Sequence, residues 1–119
     1  MKHYLAAFLG TASSMDAWKK LPEDERARRE QQGMQAWGAW VQKHEAAIVD
    51  GGSPLGTTKR VSAHGIADVR NELAAWTVVK AESHDAAAKM FEGHPHFTLF
   101  PGEAVEIMEC LPMPGEAKA

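Results

Sequence analysis

Three short segments, His3 to Leu9, Leu73 to Ala81 and Ala104 to Leu111, are apolar on both of their alternating faces. Strands of that kind need cover on two sides, because each face buries side chains that water would otherwise meet. The longest helical segment opens at Pro22, with Glu23, Asp24 and Glu25 in its first turn at the positive end of the dipole, and runs to about Ala47. A second, shorter helix starts after Ser83 and ends at Gly93. Two helices cover one side of a small sheet, and the other side is left for something else.

The intervening pieces complete the order. Thr11 to Lys20 is a polar connection with room for one helical turn. Ile48 and Val49 form a short strand that stops at the turn Asp50-Gly51-Gly52-Ser53-Pro54. Thr57 to His64 alternates as a half-exposed strand, Gly65 to Asn71 reads as loop, and His94 to Gly102 as loop or irregular strand. On the long helix Met34, Trp37, Val41 and Ile48 make the stripe predicted to be buried, while Gly33 and Gly38 each cost the helix about 1 kcal/mol relative to Ala. Two strand-helix-strand units around an antiparallel sheet give a ferredoxin-like α+β sandwich. A second copy of the chain is the expected cover for the open face, giving a homodimer.

Composition bounds the rest. At 119 residues, 45% hydrophobic and 24% charged, the chain holds one domain, placed at residues 1–111, with a loose tail over 112–119. A formal charge of -3 with dispersed basic residues argues against nucleic acid as partner. Lys2 and the run Tyr4 to Leu9 imitate a secretory signal, but six apolar residues fall short of one, and no stretch reaches the ~18 of a membrane span. A cytoplasmic protein is expected. The single cysteine, Cys110, has no internal partner and is expected to be a buried, inert thiol of the last strand. No Gly-rich phosphate loop, Gly-x-Ser-x-Gly elbow or Cys-x-x-Cys pair occurs.

The element order, the opening Met1-Lys2-His3-Tyr4-Leu5, the Asp50-Gly51-Gly52-Ser53-Pro54-Leu55 segment and the late His94-Pro95-His96 resemble the YCII-related proteins of the dimeric α+β barrel superfamily. The resemblance implies ferredoxin-like protomers paired through their sheets around a small pocket. The superfamily includes muconolactone isomerases, monooxygenases and haem-binding relatives, so it implies no single reaction. Better-described members are proposed to use a helix histidine with an aspartate before a late proline. Here those places fall near Gln32 and on His94-Pro95, so the pair does not carry over.

His94 and His96 are the sharpest chemical feature. In extended backbone, residues two apart point the same way, so both imidazoles would meet one ligand. Either the pair serves proton transfer, or it binds a metal, or both rings hydrogen-bond the backbone of a rigid loop. Asp50 joins them as a candidate catalytic carboxylate, with a simple turn-stabilising role as the alternative. His44 reads as a core histidine. Trp18 and Trp40 fall off the main stripes and are the candidate walls for a planar ligand. A carboxylate on an apolar face of the last strand, Glu106 or Glu109, is expected to reach solvent at a strand edge, to pair with a base such as Arg60, or to line a wet pocket, exposure being the simplest outcome. Arg60 completes the candidate ligand-binding set. The leading expectation is a small-molecule pocket doing proton-transfer chemistry of isomerase or lyase type, with no cofactor and no metal assigned. A non-catalytic ligand-binding or regulatory module, and a haem- or metal-dependent oxidative enzyme, are the alternatives.

Overall fold

A computed structural model describes residues 1–115 of the chain. The strands β1 (Lys2–Leu9), β2 (Ile48–Pro54), β5 (Leu73–Ala81) and β6 (Ala104–Glu109) form one antiparallel sheet in the order β2-β5-β1-β6. With helix α2 (Glu23–Lys43) crossing between β1 and β2, and α3 (His84–Lys89) between β5 and β6, this is the ferredoxin-like arrangement. Two short helices, α1 (Ala12–Lys19) and α4 (Pro95–Thr98), are added at one end of the sheet, and β3 (Thr58–Ser62) pairs with β4 (Gly65–Val69) in a separate ribbon. Of the tail expected over 112–119, residues 116–119 lie outside the described residues.

Local chemistry explains the helix boundaries. Thr11 and Ser83 cap α1 and α3 by accepting the backbone N–H of Ser14 at 3.1 Å and of Ala86 at 3.0 Å. The long helix stops at Lys43, short of the expected Ala47, because residues Glu45–Ala47 tighten into a 3-10 turn before β2.

The core lies between the sheet and its helices. Tyr4, Ala6 and Phe8 alternate onto one face of β1, meet Val79 and Ala81 of β5, and are covered by Ala87 and Phe91 with Trp37 and Trp40. The buried stripe of α2 differs from the one predicted. Met34 is 63% exposed and Val41 is exposed too, whereas Gly33, Trp37 and Trp40 face inward. Periodicity counts side chains, and the closest approach on this helix is made where there is none: a Cβ on Gly33 would sit 2.5 Å from the Phe100 ring.

Other sequence expectations need correction. The Asp50-Gly51-Gly52-Ser53-Pro54 segment is the second half of an edge strand rather than a turn, pairing with β5 through two register shifts. Its glycines absorb the irregularity: Gly52 has φ +67° and packs against the Trp76 carbonyl where no Cβ fits. Residues expected as loop after Gly65 form β4, whose partner residues include Val61 opposite Ile66. Cys110 falls one residue past β6 and is exposed, so the buried thiol is not found. Of the carboxylates on the last strand, which is a sheet edge, Glu106 is exposed and Glu109 pairs with Lys2 at 3.6 Å.

On its other face the sheet is incompletely covered. The register sets Leu5 opposite Val78 and Met108, with Leu5 and Val78 half-buried and Met108 40% exposed.

Candidate functional site

At the end of the sheet where β1 runs into Gly10, the sheet, α1, α2 and the loop after α4 enclose a cavity of about 520 Å³. That volume suits a one- or two-ring organic molecule. Its wall is built mainly from Met15, Trp18, Met34, Trp37, Trp76 and Phe100, with the bulged Gly51 to Pro54 segment as one rim. Trp18 and Phe100 lean on each other at 6.0 Å, and Phe100 meets Trp37 at 6.0 Å, so the aromatic wall is continuous. Few side chains bring polarity to it. They are His96, Glu30 and Ser53.

The two histidines come from one short turn. Pro95 supplies a ready-made φ at the first position of α4, and His94 is the cap before it, with φ -60° and ψ 142°. His94 itself is extended, but Pro95 and His96 belong to the helical turn, so the pair does not lie on one face of a strand. Nδ1 of His94 accepts the backbone N–H of His96 at 3.0 Å. Burial is complete for His94, at 0% exposure, among Phe8, Trp37, Trp40 and Phe91. Burial pushes its pKa from 6.5 down to about 4, helped by the proximity of His96 and then of His44.

His96 sits beside it with a different task. Its Nε2 lies 2.7 Å from the carbonyl oxygen of Leu9, which only accepts, so Nε2 carries the proton and Nδ1 keeps the lone pair. Burial lowers its pKa, and the hydrogen bond to Leu9 works in the opposite direction. Gly102 makes this seat possible, since a Cβ there would strike the His96 ring. The backbone N–H of Gly102 closes the turn on the His96 carbonyl at 2.9 Å.

The remaining candidates are spread out. Trp18 stands in the cavity wall. Trp40 is in the core, its indole N–H donating to the Met90 carbonyl at 2.7 Å, and it packs on Phe91 and His44. Asp50 is exposed on β2, where its Oδ1 accepts the Gly52 N–H at 2.9 Å and holds the bulge. Its own carbonyl accepts the Thr77 hydroxyl at 2.8 Å. Arg60 is exposed on the β3–β4 ribbon. His44 follows the end of α2 and leans on Trp40 at 4.9 Å. Among the described residues no group of three or more His, Cys, Asp and Glu side chains is placed to hold a metal ion. The helices of the described residues include none long and apolar enough to cross a membrane.

Sequence reading missed Trp37, Trp76 and Phe100 as cavity walls. Gly33 is the signal that pointed there, a costly residue in a helix that is otherwise rich in good helix formers.

No family model and no curated protein matches the chain. Among solved structures the chain is similar to 5-chloro-2-hydroxyhydroquinone dehydrochlorinase (TftG) from Burkholderia phenoliruptrix AC1100, in complex with 2,5-dihydroxybenzoquinone. The identity is 14%, the TM-score 0.47, and the overlap covers 88% of this chain and 89% of that chain.

Proposed function

We propose that the protein is a YCII-related member of the dimeric α+β barrel superfamily that binds a small, flat, largely apolar molecule in the aromatic cavity and moves a proton on it with His96. One observation carries this reading. A neutral imidazole stands in the wall of a mainly apolar cavity, with its tautomer fixed by the Leu9 carbonyl. A lowered pKa keeps that ring in its base form at neutral pH.

The chemistry is proton abstraction and return. Nδ1 of His96 takes a proton from an acidic O–H or C–H of the ligand and becomes imidazolium, and the Leu9 carbonyl steadies the Nε2–H of that cation. The same nitrogen then delivers the proton to another atom of the conjugated system, which is an isomerisation. His94 is a positioning residue in this scheme: it caps the turn that presents His96. Copies of the chain pair through the open sheet face at Leu5, Val78 and Met108, which gives these half-covered side chains a second layer.

A suitable probe is 2-tetralone, a two-ring ketone with exchangeable C–H groups. Trp18, Trp37 and Trp76 line the cavity, so binding is expected to quench tryptophan fluorescence saturably. Exchange of its α-protons in D2O, followed by NMR, is expected to be faster with wild type than with His96→Gln by about 100-fold, with binding unchanged. Binding without any difference in exchange would make the protein a ligand-binding module. Absence of quenching up to millimolar probe would remove the cavity reading.

A further inference from the structure

The β3–β4 ribbon has an organisation unlike the rest of the chain. Its strands hold each other and make only slight contact with the remaining elements. Nearly every residue from Thr57 to Arg70 is exposed, Thr58 and Val69 at its base being half-buried. Two-stranded ribbons of this size are marginally stable at best in water when nothing packs on them. This one is tied by Lys59 and Asp68, an exposed ion pair at 2.6 Å, and exposed pairs contribute little.

Its surface is not that of a solvated loop. Val61 and Ile66 face each other across the two strands, 75% and 72% exposed, next to a tight turn made by Ala63 and His64 with Gly65 at φ +110°. β-Branched side chains placed opposite each other make a compact apolar patch, and a patch at the end of a ribbon is a contact point. Charge separates the ribbon from the body too. The segment 57–70 holds Lys59, Arg60 and Arg70 against Asp68, a surplus of two positive charges. Since the whole chain carries -3, the remainder carries -5.

We infer that this ribbon is an arm that docks on the body of a second copy of the chain, with Val61 and Ile66 as its apolar contact and its net positive charge set against the acidic partner. A basic arm on an acidic body is self-complementary only between copies, because the arm stands away from its own body. The arm also leaves the sheet at Pro54 and returns at Leu73, so its root adjoins the rim of the cavity, where Ser53, Pro54 and Ala74 stand. The inference extends the pairing of copies proposed above and adds a contact that sheet pairing does not require.

Equilibrium sedimentation of the full chain separates the two. The variants are Val61→Thr with Ile66→Thr, which keeps strand-forming residues in the arm, and Met108→Lys, which charges the open sheet face. Hydrogen exchange of residues 58–69 is read at low and high protein concentration. The expected result is a wild-type dimer whose arm amides gain protection with concentration, and a dissociation constant raised about tenfold or more in the double variant. Raising salt from 0.05 to 0.5 M is expected to weaken the dimer as well. A dimer unaffected by the arm variant but broken by Met108→Lys would overturn the arm and leave sheet pairing standing. The reverse pattern would keep the arm and discard the sheet. A wild-type chain that stays monomeric at 100 μM would discard both.

Discussion

The backbone N–H of His96 reaches Nδ1 of His94 at 3.0 Å, so the most deeply buried ring of the chain caps the turn that brings the neighbouring ring to the cavity. An N–H aimed at Nδ1 requires a lone pair there, which places the His94 proton on Nε2. That nitrogen is buried without a hydrogen-bond partner. The ring packs nearly perpendicular to the indole of Trp37, centroids 4.5 Å apart and planes at 89°, in surroundings that are mostly aromatic. Protonating His94 would strand a second donor against the His96 N–H and place a charge among aromatic rings. Burial and hydrogen bonding therefore hold this ring neutral together.

The folded-state pKa of His94, about 4, lies below its ordinary value of 6.5. Between those values the unfolded chain binds a proton that the folded chain refuses. Its stabilising contribution is fully present above about pH 6.5 and is lost as pH falls toward 4, amounting to about 3 kcal/mol across that window. Urea unfolding at pH 7.5, 6 and 4.5 is expected to show this decline in wild type. In His94→Asn, which keeps a capping acceptor and removes the titration, the slope should be shallower. Equal slopes in the two proteins would mean that His94 titrates normally.

The two glycines of α2 are expected to respond oppositely to alanine. Around Gly38 nothing lies within 4 Å of an added Cβ, so Gly38→Ala should stabilise the protein by about 1 kcal/mol through helix propensity alone. At Gly33 the same gain is opposed by the Phe100 ring 2.5 Å away. Displacing that ring pushes it toward the cavity it lines, so Gly33→Ala should weaken 2-tetralone binding several-fold and gain no stability. Thermal melts and fluorescence titrations of both variants check the contrast.

Much of this arrangement is readable from the sequence, and the failures share a cause. The doubly apolar segments gave β1, β5 and β6, and the acidic first turn after Pro22 placed the start of α2. Those signals are local and periodic. The turn signal at Gly51 and Gly52 misled because glycine marks an unusual backbone, and a bulged strand needs one as much as a turn does. Ile66 to Val69 lacks alternation with a buried face, since the ribbon has no buried face to alternate against. At His94-Pro95-His96 the residues were visible but their geometry was not. A proline that opens a helical turn and one that rigidifies a loop look the same in sequence, and only the cap at His94 distinguishes them.

Gly102 is expected to be the most sensitive position near His96. Its missing side chain admits the imidazole ring, and its N–H fixes the His96 carbonyl. Because the obstruction is a buried ring rather than a flexible side-chain end, Gly102→Ala should cost about 1–3 kcal/mol. It should also break the bond from His96 to the Leu9 carbonyl, freeing the tautomer. The measurement is an imidazole nitrogen NMR spectrum, in which wild type shows His96 as a single Nε2–H form. A variant with that form intact and unchanged stability would show that the loop yields to the added methyl.

Trp40 tests whether its place in the core is held by packing alone. The last carbonyls of a helix have no partner within it, and the Met90 carbonyl at the end of α3 takes the indole N–H of Trp40 from α2 at 2.7 Å. This bond joins the two helices that cover the sheet. Phenylalanine keeps most of the contact with Phe91 and His94 but offers no donor. Trp40→Phe should therefore cost about 1–3 kcal/mol in urea unfolding, from the stranded carbonyl and the lost ring volume together. Binding of 2-tetralone should survive, because the cavity is walled by Trp18, Trp37 and Trp76. Loss of binding in a stably folded Trp40→Phe protein would instead mean that the inner wall depends on the α2–α3 bond, and would move Trp40 back into the site.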